Sequence, residues 1–401
     1  MFVPPWKILA KPFLQNELLK FIKNQKMTFS KTTVVFIFQC FFFNMLIMSK
    51  ADGQATGEKP VRMAVIGITH GHAGFILGRK PKPDIELVGV YEPNTELARR
   101  AAKDYNVRPG IFYSDLDKML NETKPEAVLA FGSIYEHMAV VEVCAPRGIH
   151  VMVEKPLATN MKHANKMREL AVQYKIHLLT DYETSWYPST EKVYQLANDS
   201  NYLGKIRKVV IHDGHKGPKE IGVSKEFIDW LTDPVQNGGG ALIDFGCYGA
   251  NLMTYLMKGQ TPVSVTAVTQ QFKPAIYPKV DDEATIIVAY PSAQCIIQAS
   301  WNWPFGRNDM EVYGETGYAI AVNNRTLRLR NKETEAERIT QVTANEMKVY
   351  EDPISYFADV IREKIKVPAY GTYSPENNVM VVKILEAARE SAQTGKTVLI
   401  K

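Results

Sequence analysis

The amino-acid sequence predicts an α/β protein: a Rossmann-like, doubly wound parallel sheet followed by an α+β domain with a large, mostly antiparallel open sheet. Between Val61 and Tyr182, short apolar strands alternate with helical stretches, which requires right-handed crossovers and a parallel sheet. Beyond Tyr182 the segments are longer, rich in β-formers and alternating in polarity. This pattern is typical of an antiparallel sheet with one exposed or partner-facing side. The 401 residues are 45% apolar, enough to bury the cores of two domains.

Five segments form each predicted sheet. The first five are VRMAVIGI, IELVGVYE, AVLAFGS, IHVMVEK and IHLLTDY, and the second five are KIRKVVIHDG, SVTAVTQQF, ATIIVAY, AQCIIQASWNW and DMEVYGETGYAIAV. The amphipathic segment NNVMVVKILEAARESAQTGK predicts a helix that Gly395 ends. We expect a leader in residues 1–55, a Rossmann domain in 56–181, and an α+β substrate and oligomerisation domain in 182–371. A C-terminal helix and tail in 372–401 should pack back on the Rossmann domain.

The first 55 residues read as an export leader. The apolar run TTVVFIFQCFFFNMLIM, from Thr32 to Met48, follows Lys31 and is shorter than the ~20 residues that span a bilayer. These features are typical of a secretory signal peptide. A membrane anchor is the alternative. We expect an exported, periplasmic protein.

Charge and cysteine content exclude two classes of function. Residues 1–50 contain seven Lys and one Glu, whereas the rest of the chain is close to neutral. The folded part therefore lacks the basic face that nucleic-acid binding requires. Beyond the leader, Cys144, Cys247 and Cys295 each stand alone, which favours neither a disulfide framework nor a zinc site.

The segment GITHGHAG follows the first strand, at the position of a dinucleotide-binding loop. Such a loop needs small residues at the turn, at the approach to the pyrophosphate and at the contact of helix with strand. Gly67 holds the first place, Thr69 and His72 hold the second and third, and Gly71 lies between them. We expect the helix N-terminus to bind phosphate through its amides, with His70 or His72 adding a donor. Metal binding by the two histidines is the alternative, and we expect no metal because no carboxylate or cysteine flanks them.

Two strand ends support a dinucleotide site. Glu92 ends the second strand, where a carboxylate can accept both hydroxyls of an adenosine ribose and repel a 2′-phosphate. We therefore expect NAD rather than NADP, and a solvent-facing residue in a turn is the alternative. The strand HVMV ends in Glu154, Lys155 and Pro156, which places a cation at the carboxyl edge, where an open α/β sheet binds its ligand.

These features, with the later segment GGGALIDFGCYGANLMTYLMKG (Gly238 to Gly259), resemble the Gfo/Idh/MocA oxidoreductases. The resemblance extends from Arg62 to Lys401 and rests on EKPLA and on the Gly-rich turn that precedes an Asp-bearing helix. It implies a nicotinamide-dependent dehydrogenase of sugars or cyclic polyols, with the substrate between the nicotinamide and the second sheet.

The resemblance also implies roles for single residues. Lys155 matches the family lysine that contacts the reacting oxygen, and Asp244 matches the aspartate of the helix motif. Tyr248 stands where most members have histidine, as it does in some branches. Ser133 and His137 follow the AFGS strand, where the family often has a histidine near the nicotinamide.

Hydride transfer between a carbinol carbon and nicotinamide requires a group that exchanges a proton with the substrate oxygen. The ammonium of Lys155 would polarise that oxygen and favour the phenolate of Tyr248. Asp244, one helical turn before Tyr248, would face the same side and hold one of these groups. In the alternative, Tyr248 only packs on the sugar or the nicotinamide.

Substrate contacts are expected from the second domain. The segment IHDGHKGPKE brings His212 and His215, with Asp213 between them, to a strand end where they could bind sugar hydroxyls. A metal trio is the minority alternative there. Trp186 follows the crossover between the domains and is the first choice for stacking on a sugar, although such aromatics are more often core or subunit interface.

The sequence thus predicts an NAD(P)-dependent oxidoreductase of a sugar, glycoside or cyclic polyol, assembled as a homodimer or homotetramer. Two alternatives remain open. One is a redox-neutral enzyme that cleaves glycosides with NAD, and the other is a non-catalytic nicotinamide-binding regulator.

Overall fold

The computed structural model describes residues 59–400, so the predicted leader lies outside the described residues. The chain from Pro60 onward forms one compact unit. No helix among the described residues is both long and apolar enough to cross a membrane.

The first sheet has six parallel strands in the spatial order β3-β2-β1-β4-β5-β6. The strands are β1 (Val61–Ile66), β2 (Ile85–Tyr91), β3 (Phe112–Tyr113), β4 (Ala127–Ala130), β5 (His150–Glu154) and β6 (Leu178–Asp181). The order reverses between β1 and β4, which is where a doubly wound sheet opens its ligand crevice. This sheet confirms the predicted Rossmann-like fold.

Helices cover both faces of this sheet. They are α1 (Ala73–Leu77), α2 (Thr95–Asp104), α3 (Leu116–Thr123), α4 (His137–Cys144) and α5 (Met161–Tyr174), with short 3₁₀ turns at Pro109–Ile111, Ile134–Glu136 and Ala145–Arg147. Side chains cap three of the helices, because Asn94, Asp115 and Asn160 accept backbone N–H groups of the first turns of α2, α3 and α5.

The second sheet has nine strands in the order β14-β13-β12-β11-β7-β10-β9-β8-β15. Only β7 and β10 pair in parallel, so the sheet is mostly antiparallel, as predicted. The strands are β7 (Ile206–Gly214), β8 (Ser264–Gln270), β9 (Glu283–Ala289), β10 (Gln294–Ser300), β11 (Arg307–Gly314), β12 (Tyr318–Ala321), β13 (Thr326–Arg330), β14 (Arg338–Gln341) and β15 (Val398–Leu399).

Further helices follow β6, and several of them contact strands of the second sheet. They are α6 (Pro188–Asn198), α7 (Pro218–Ile221), α8 (Lys225–Leu231), α9 (Ala241–Asp244), α10 (Gly246–Leu256), α11 (Ala344–Met347), α12 (Pro353–Ile361) and α13 (Pro375–Thr394), and a 3₁₀ turn covers Glu183–Trp186. Helix α10 is almost wholly buried against β7 and β10. This burial fixes the position of the Asp-bearing segment that precedes it.

The C-terminal helix α13 ends at Gly395 in the left-handed conformation that favours glycine. It contacts α5 of the first domain and also α10 and β8 of the second, so it joins the two sheets. Helix α12, which the sequence analysis did not single out, packs Ile354 and Phe357 against the Rossmann sheet. The last part of the chain therefore returns to the first domain at two places.

Candidate active site

The predicted cofactor loop follows β1 at the carboxyl edge of the first sheet. Gly67 has a φ of +73°, and a Cβ there would lie 2.9 Å from the backbone nitrogen of Gly132 in the loop after β4. The two loops at the switch point therefore approach each other closely, and only glycine allows both this backbone conformation and this distance.

We expect Gly67→Ala to lower the thermal unfolding temperature and to weaken dinucleotide binding at least tenfold. The left-handed conformation alone costs a residue other than glycine roughly 1–2 kcal/mol, and the loop must also shift away from Gly132. Gly71→Ala is the matched control, because a Cβ at Gly71 meets no atom within 4 Å. Equal behaviour of the two variants in calorimetry and dinucleotide titration would contradict this role of Gly67.

The two loop histidines meet Glu154, which ends β5. Nδ1 of His72 lies 2.7 Å from Oε1 of Glu154, and Nε2 of His70 lies 4.0 Å from Oε2. Burial alone would raise the pKa of Glu154, but the two histidines lower it to about 2. Burial alone would lower the pKa of His72, yet the Glu154 carboxylate raises it above its usual value. His72 and Glu154 therefore form a hydrogen-bonded pair at the edge of the sheet, in which the carboxylate favours the protonated form of the histidine.

These three side chains are close enough to hold a metal ion, but the hydrogen bonds of His70 argue against it. Nδ1 of His70 accepts the backbone N–H of His72 at 3.0 Å, so the neutral ring carries its proton on Nε2. Burial lowers the pKa of His70 to about 3, which keeps the ring neutral. The nitrogen that faces Glu154 is therefore a donor and offers no lone pair to a metal.

Glu92 holds the cofactor loop in place. Its Oε2 accepts the N–H of Ile68 at 3.1 Å and its Oε1 accepts the N–H of Asn94 at 2.9 Å. Burial raises the pKa of this carboxyl. Glu92 is thus buried rather than solvent-facing, and it ties the turn after β2 to the loop after β1.

The segment 224–236, which contains α8, crosses the crevice between the loops after β1 and β4. Nε1 of Trp230 donates to Oγ1 of Thr69 at 3.0 Å, and the ring of Phe227 packs on His70 at 4.3 Å. At the other end, the carbonyl of Gln236 accepts the N–H of Tyr135 at 3.0 Å. The sequence analysis did not foresee this crossing segment, although its aromatic residues directly precede the Gly-rich turn.

Ser133 and His137 lie beside the crossing segment. Oγ of Ser133 lies 2.7 Å from Oε1 of Gln236. The backbone N–H of Ser133 donates to Oε2 of Glu136. Nδ1 of His137 donates to the carbonyl of Leu157 at 3.2 Å, which leaves Nε2 as a buried acceptor without a partner among residues 59–400. Burial lowers the pKa of His137 to about 4. His137 is therefore a neutral, fully buried side chain at the start of α4.

The predicted catalytic pair joins the two sheets. Nζ of Lys155, which follows β5, lies 2.6 Å from Oδ1 of Asp244 at the end of α9. Trp301 donates its indole N–H to Oδ2 of Asp244 at 3.0 Å, so both carboxylate oxygens are engaged. Burial alone would lower the pKa of Lys155, but Asp244 holds it above its usual value. The Lys155–Pro156 peptide bond is cis.

The environment of Tyr248 does not favour its phenolate, contrary to the expectation from the sequence. The ammonium of Lys155 lies 5.0 Å from the centre of the Tyr248 ring, so it faces the aromatic surface. Burial, and then the carboxyl of Asp213, raise the pKa of Tyr248 well above its usual value. Tyr248 is therefore a neutral phenol that can donate a hydrogen bond, and the ring supports Lys155 through a cation–π contact.

The strand β7 separates two residues that the sequence analysis placed together. Nδ1 of His212 lies 3.0 Å from Oδ2 of Asp309 on β11. Asp213, the next residue, points to the opposite face because strand side chains alternate. There it is buried near Lys155, and burial raises its pKa well above its usual value. Asp213 is therefore the residue of this pair that lies near Lys155, whereas His212 pairs with Asp309, and substrate binding by His212 stays a prediction.

His215 lies on the same side as Lys155, with its ring 4.9 Å from that of Phe245. Its Nδ1 accepts the N–H of Gly217 at 2.9 Å, and burial lowers its pKa. The ring is therefore neutral, with its proton on Nε2, and can donate a hydrogen bond to a substrate oxygen.

Trp186 lies at the edge of the first sheet, not over Lys155. Its Nε1 donates to Oδ1 of Asp181 at 2.9 Å, and its ring meets Phe75 edge-on at 5.4 Å. Asp181 ends β6 beside Glu154, and burial together with that carboxylate raises the pKa of Asp181 to about 8. Asp181 is therefore a protonated carboxyl at neutral pH.

We expect Asp181→Asn to remove a pH dependence of stability. The folded protein holds the Asp181 proton up to about pH 8, whereas the unfolded chain loses it near 3.8. Between these values the free energy of unfolding falls by up to about 1.4 kcal/mol per pH unit as the pH rises. The amide keeps the bond to Trp186 but cannot ionise, so the variant should gain stability relative to the wild type from pH 5 to 8. Parallel stability curves for the two proteins would contradict the raised pKa.

The fold and the site define a two-domain protein with a dinucleotide-binding domain. Residues 61–182 match the oxidoreductase family with an NAD-binding Rossmann fold, and residues 194–320 match the GFO/IDH/MocA C-terminal domain. The two matches together cover more than half of the chain. The chain therefore belongs to the Gfo/Idh/MocA family. This result confirms the resemblance inferred from the sequence.

Known relatives are distant. Trans-1,2-dihydrobenzene-1,2-diol dehydrogenase of Xenopus tropicalis is 26% identical over 195 residues, which are 48% of this chain and 54% of the relative. The chain therefore spans about half the length of this curated relative.

Two solved structures share the fold over most of the chain. An inositol dehydrogenase homologue from Azotobacter vinelandii, complexed with NAD⁺, superposes with a TM-score of 0.74 at 18% identity and covers 85% of this chain and 98% of its own. An aldose–aldose oxidoreductase from Caulobacter crescentus, complexed with glycerol, gives 0.70 at 21% identity, with 85% and 100% covered.

Proposed function

We propose that this protein is an NAD-dependent oxidoreductase that transfers a hydride between nicotinamide and a sugar, glycoside or cyclic polyol. The observation that carries the proposal is the buried pair of Lys155 and Asp244 at the carboxyl edge of the Rossmann sheet. Relatives of this chain include proteins named for oxidation of a diol, an inositol and an aldose, which supports a polyhydroxylated substrate.

The residues of the chain have separate roles in this proposal. A bound nicotinamide supplies the hydride acceptor. Lys155 is a permanent cation that stabilises negative charge developing on the reacting oxygen of the substrate. Asp244 keeps that cation charged and in place. Tyr248 and His215 are neutral donors that orient the substrate hydroxyls. Buried Asp213 near the same point, a carboxyl whose pKa is raised by burial, takes up the proton that the reacting hydroxyl loses as the hydride leaves.

We propose NAD as the preferred cofactor. The buried carboxyl of Glu92 at the end of β2 lies where a 2′-phosphate would be repelled. Titration of the purified protein with both dinucleotides tests this choice. Tighter binding of NADP would overturn it.

A second function, redox-neutral cleavage of glycosides, is favoured by the pair of His72 and Glu154. After oxidation of a sugar hydroxyl to a ketone, a base must take the proton from the adjacent carbon. The electron pair of the broken C–H bond then forms a C=C bond. The glycosidic C–O bond breaks, and the leaving oxygen takes up a proton. Water adds to the double bond and the hydride returns to the ketone. A histidine whose Nδ1–H is held by a carboxylate suits the proton step, because in its neutral form Nε2 offers the lone pair that accepts the proton.

One assay separates the two functions. The purified protein is supplied with NAD and a panel of sugars and glycosides, while the near-ultraviolet band of reduced nicotinamide is followed and the sugars are analysed by mass. Lasting growth of the band with an oxidised sugar supports the dehydrogenase. A cleaved glycoside without net reduction supports the redox-neutral reaction. If no member of the panel gives either result, a non-catalytic regulator is favoured.

We also propose that the protein is exported and forms a homodimer or homotetramer. The leader supports export, and the apolar side chains Val268 and Ile287 on the open face of the second sheet support assembly through it. Cell fractionation and light scattering of the purified protein test the two points. A cytosolic, monomeric protein would overturn both.

A further inference from the structure

The crossing segment, residues 224–236, connects three parts of the Rossmann domain, although it belongs to the second half of the chain. Three pairs of residues make these connections: Glu226 with Arg100 on α2, Trp230 with Thr69 after β1, and Gln236 with Tyr135 after β4. The first is an ion pair, and the other two are hydrogen bonds of 3.0 Å. The segment is therefore tied to both walls of the crevice at the switch point.

The crossing segment also covers the cofactor loop. The ring of Phe227 packs on that of His70 at 4.3 Å, and the ring of Trp230 lies 5.9 Å from it. Only 4% of His70 is exposed. A dinucleotide binds to such a sheet in the crevice between the loops after β1 and β4, which are the two loops that the segment joins. A dinucleotide must therefore pass the segment whenever it enters or leaves.

The crossing segment can move as one piece, because its own side chains hold its turns together. Oγ of Ser224 caps α8 by accepting a backbone N–H of its first turn, and Oδ1 of Asp233 accepts two backbone N–H groups of the turn that follows α8. Gly222 and Gly238 flank the segment, with φ values of +80° and +88°. Glycine changes its backbone conformation at low cost, so these two positions are suited to act as hinges.

We propose that the crossing segment is a gate for dinucleotide exchange, whose connections to the Rossmann domain break before the cofactor enters or leaves. Two of the connections are neutral hydrogen bonds and the third is a partly exposed ion pair, so each contributes little to stability by itself. The gate slows both binding and release of the dinucleotide without setting its final affinity. This inference rests on dinucleotide binding, as the proposed function does, but not on hydride transfer.

Trp230→Phe tests the gate at its centre, because it removes the bond to Thr69 but keeps an aromatic ring beside His70. Association and dissociation of reduced nicotinamide dinucleotide with the full-length protein are followed by stopped-flow fluorescence of the nicotinamide, without substrate. We expect both rate constants to rise about tenfold, because the lost bond is present in the closed gate and absent in the open one. Since both directions pass through the open gate, Kd should stay within about threefold of the wild-type value.

Glu226→Gln is a second variant, which breaks the partly exposed ion pair with Arg100 and should raise both rate constants about threefold. Trp303→Phe is the matched control, because it makes the same replacement outside the segment, where the ring lies against Arg307, and it should leave both rate constants unchanged.

Three outcomes overturn the proposal. In the first, neither gate variant changes the dissociation rate constant. In the second, dissociation becomes faster while association does not, so that Kd rises and the contacts belong to the cofactor site rather than to a gate. In the third, the protein binds no dinucleotide, which would overturn the proposed function as well. Failure of the hydride-transfer assay alone would leave these rate constants intact.

Discussion

Replacing Lys155 by Met is expected to lower kcat for hydride transfer by about 10³-fold, while dinucleotide affinity stays within a few-fold of the wild type. Lys155 is the buried cation at the carboxyl edge of β5, and Met has a similar length but no charge. The substitution also leaves Asp244 as an unpaired buried carboxylate, a situation that typically costs about 3–5 kcal/mol of folding free energy.

A double variant separates lost catalysis from lost stability. In Lys155→Met combined with Asp244→Asn, no charge is left unpaired, so the unfolding temperature should recover while kcat stays low. Turnover, calorimetric unfolding and dinucleotide titration of both variants provide the measurements. Lys155 is not the group that stabilises the reacting oxygen if the single variant keeps more than a tenth of wild-type turnover.

Asp244→Asn alone is expected to produce a new loss of activity at alkaline pH. In the wild type, Asp244 opposes the effect of burial and holds the pKa of Lys155 above its usual value. Without that carboxylate, burial lowers the pKa of Lys155. Lys155 is charged only below its pKa, so kcat/KM should fall as the pH rises through the lowered value. We expect a decrease of about 10- to 100-fold at neutral pH, and a larger one at pH 9.

Trp301→Phe is the matched control for this pH effect. It removes the second hydrogen bond of Asp244 but leaves the carboxylate charge beside Lys155. Its kcat/KM profile from pH 6 to 10 should therefore keep the wild-type shape. An alkaline limb of equal size in both variants would show that Asp244 acts through packing rather than through its charge.

Much of the fold was predictable because hydrophobic periodicity is local information. The strands that end just before Gly67, Glu92 and Lys155 lie where the sequence predicted them. Their carboxyl ends meet because the sheet is parallel. The elements that were missed, such as β3, β13 and α12, are short, so each offers few residues in which a periodicity could be recognised. The two residues of β3 and the Arg-rich segment β13 become strands only by pairing with neighbours already in place.

The site was predicted less completely, because it depends on contacts between distant segments. Strand alternation along β7 was enough to separate His212 from Asp213, but which of the two faces Lys155 depends on how the sheets pack. The phenolate expected for Tyr248 followed from a nearby cation, and the structure shows burial to be the stronger influence. No local pattern indicated that segment 224–236 crosses the crevice.

The pairing of Lys155 with Asp244 has a consequence for how the molecule matures. Each residue belongs to a different half of the chain, and burial of either one without the other would leave a costly unpaired charge. Docking of the two halves is therefore the event that makes either charge tolerable, and the same event completes the catalytic centre. A chain truncated to either half should therefore be inactive even where that half folds, because it lacks one member of the pair.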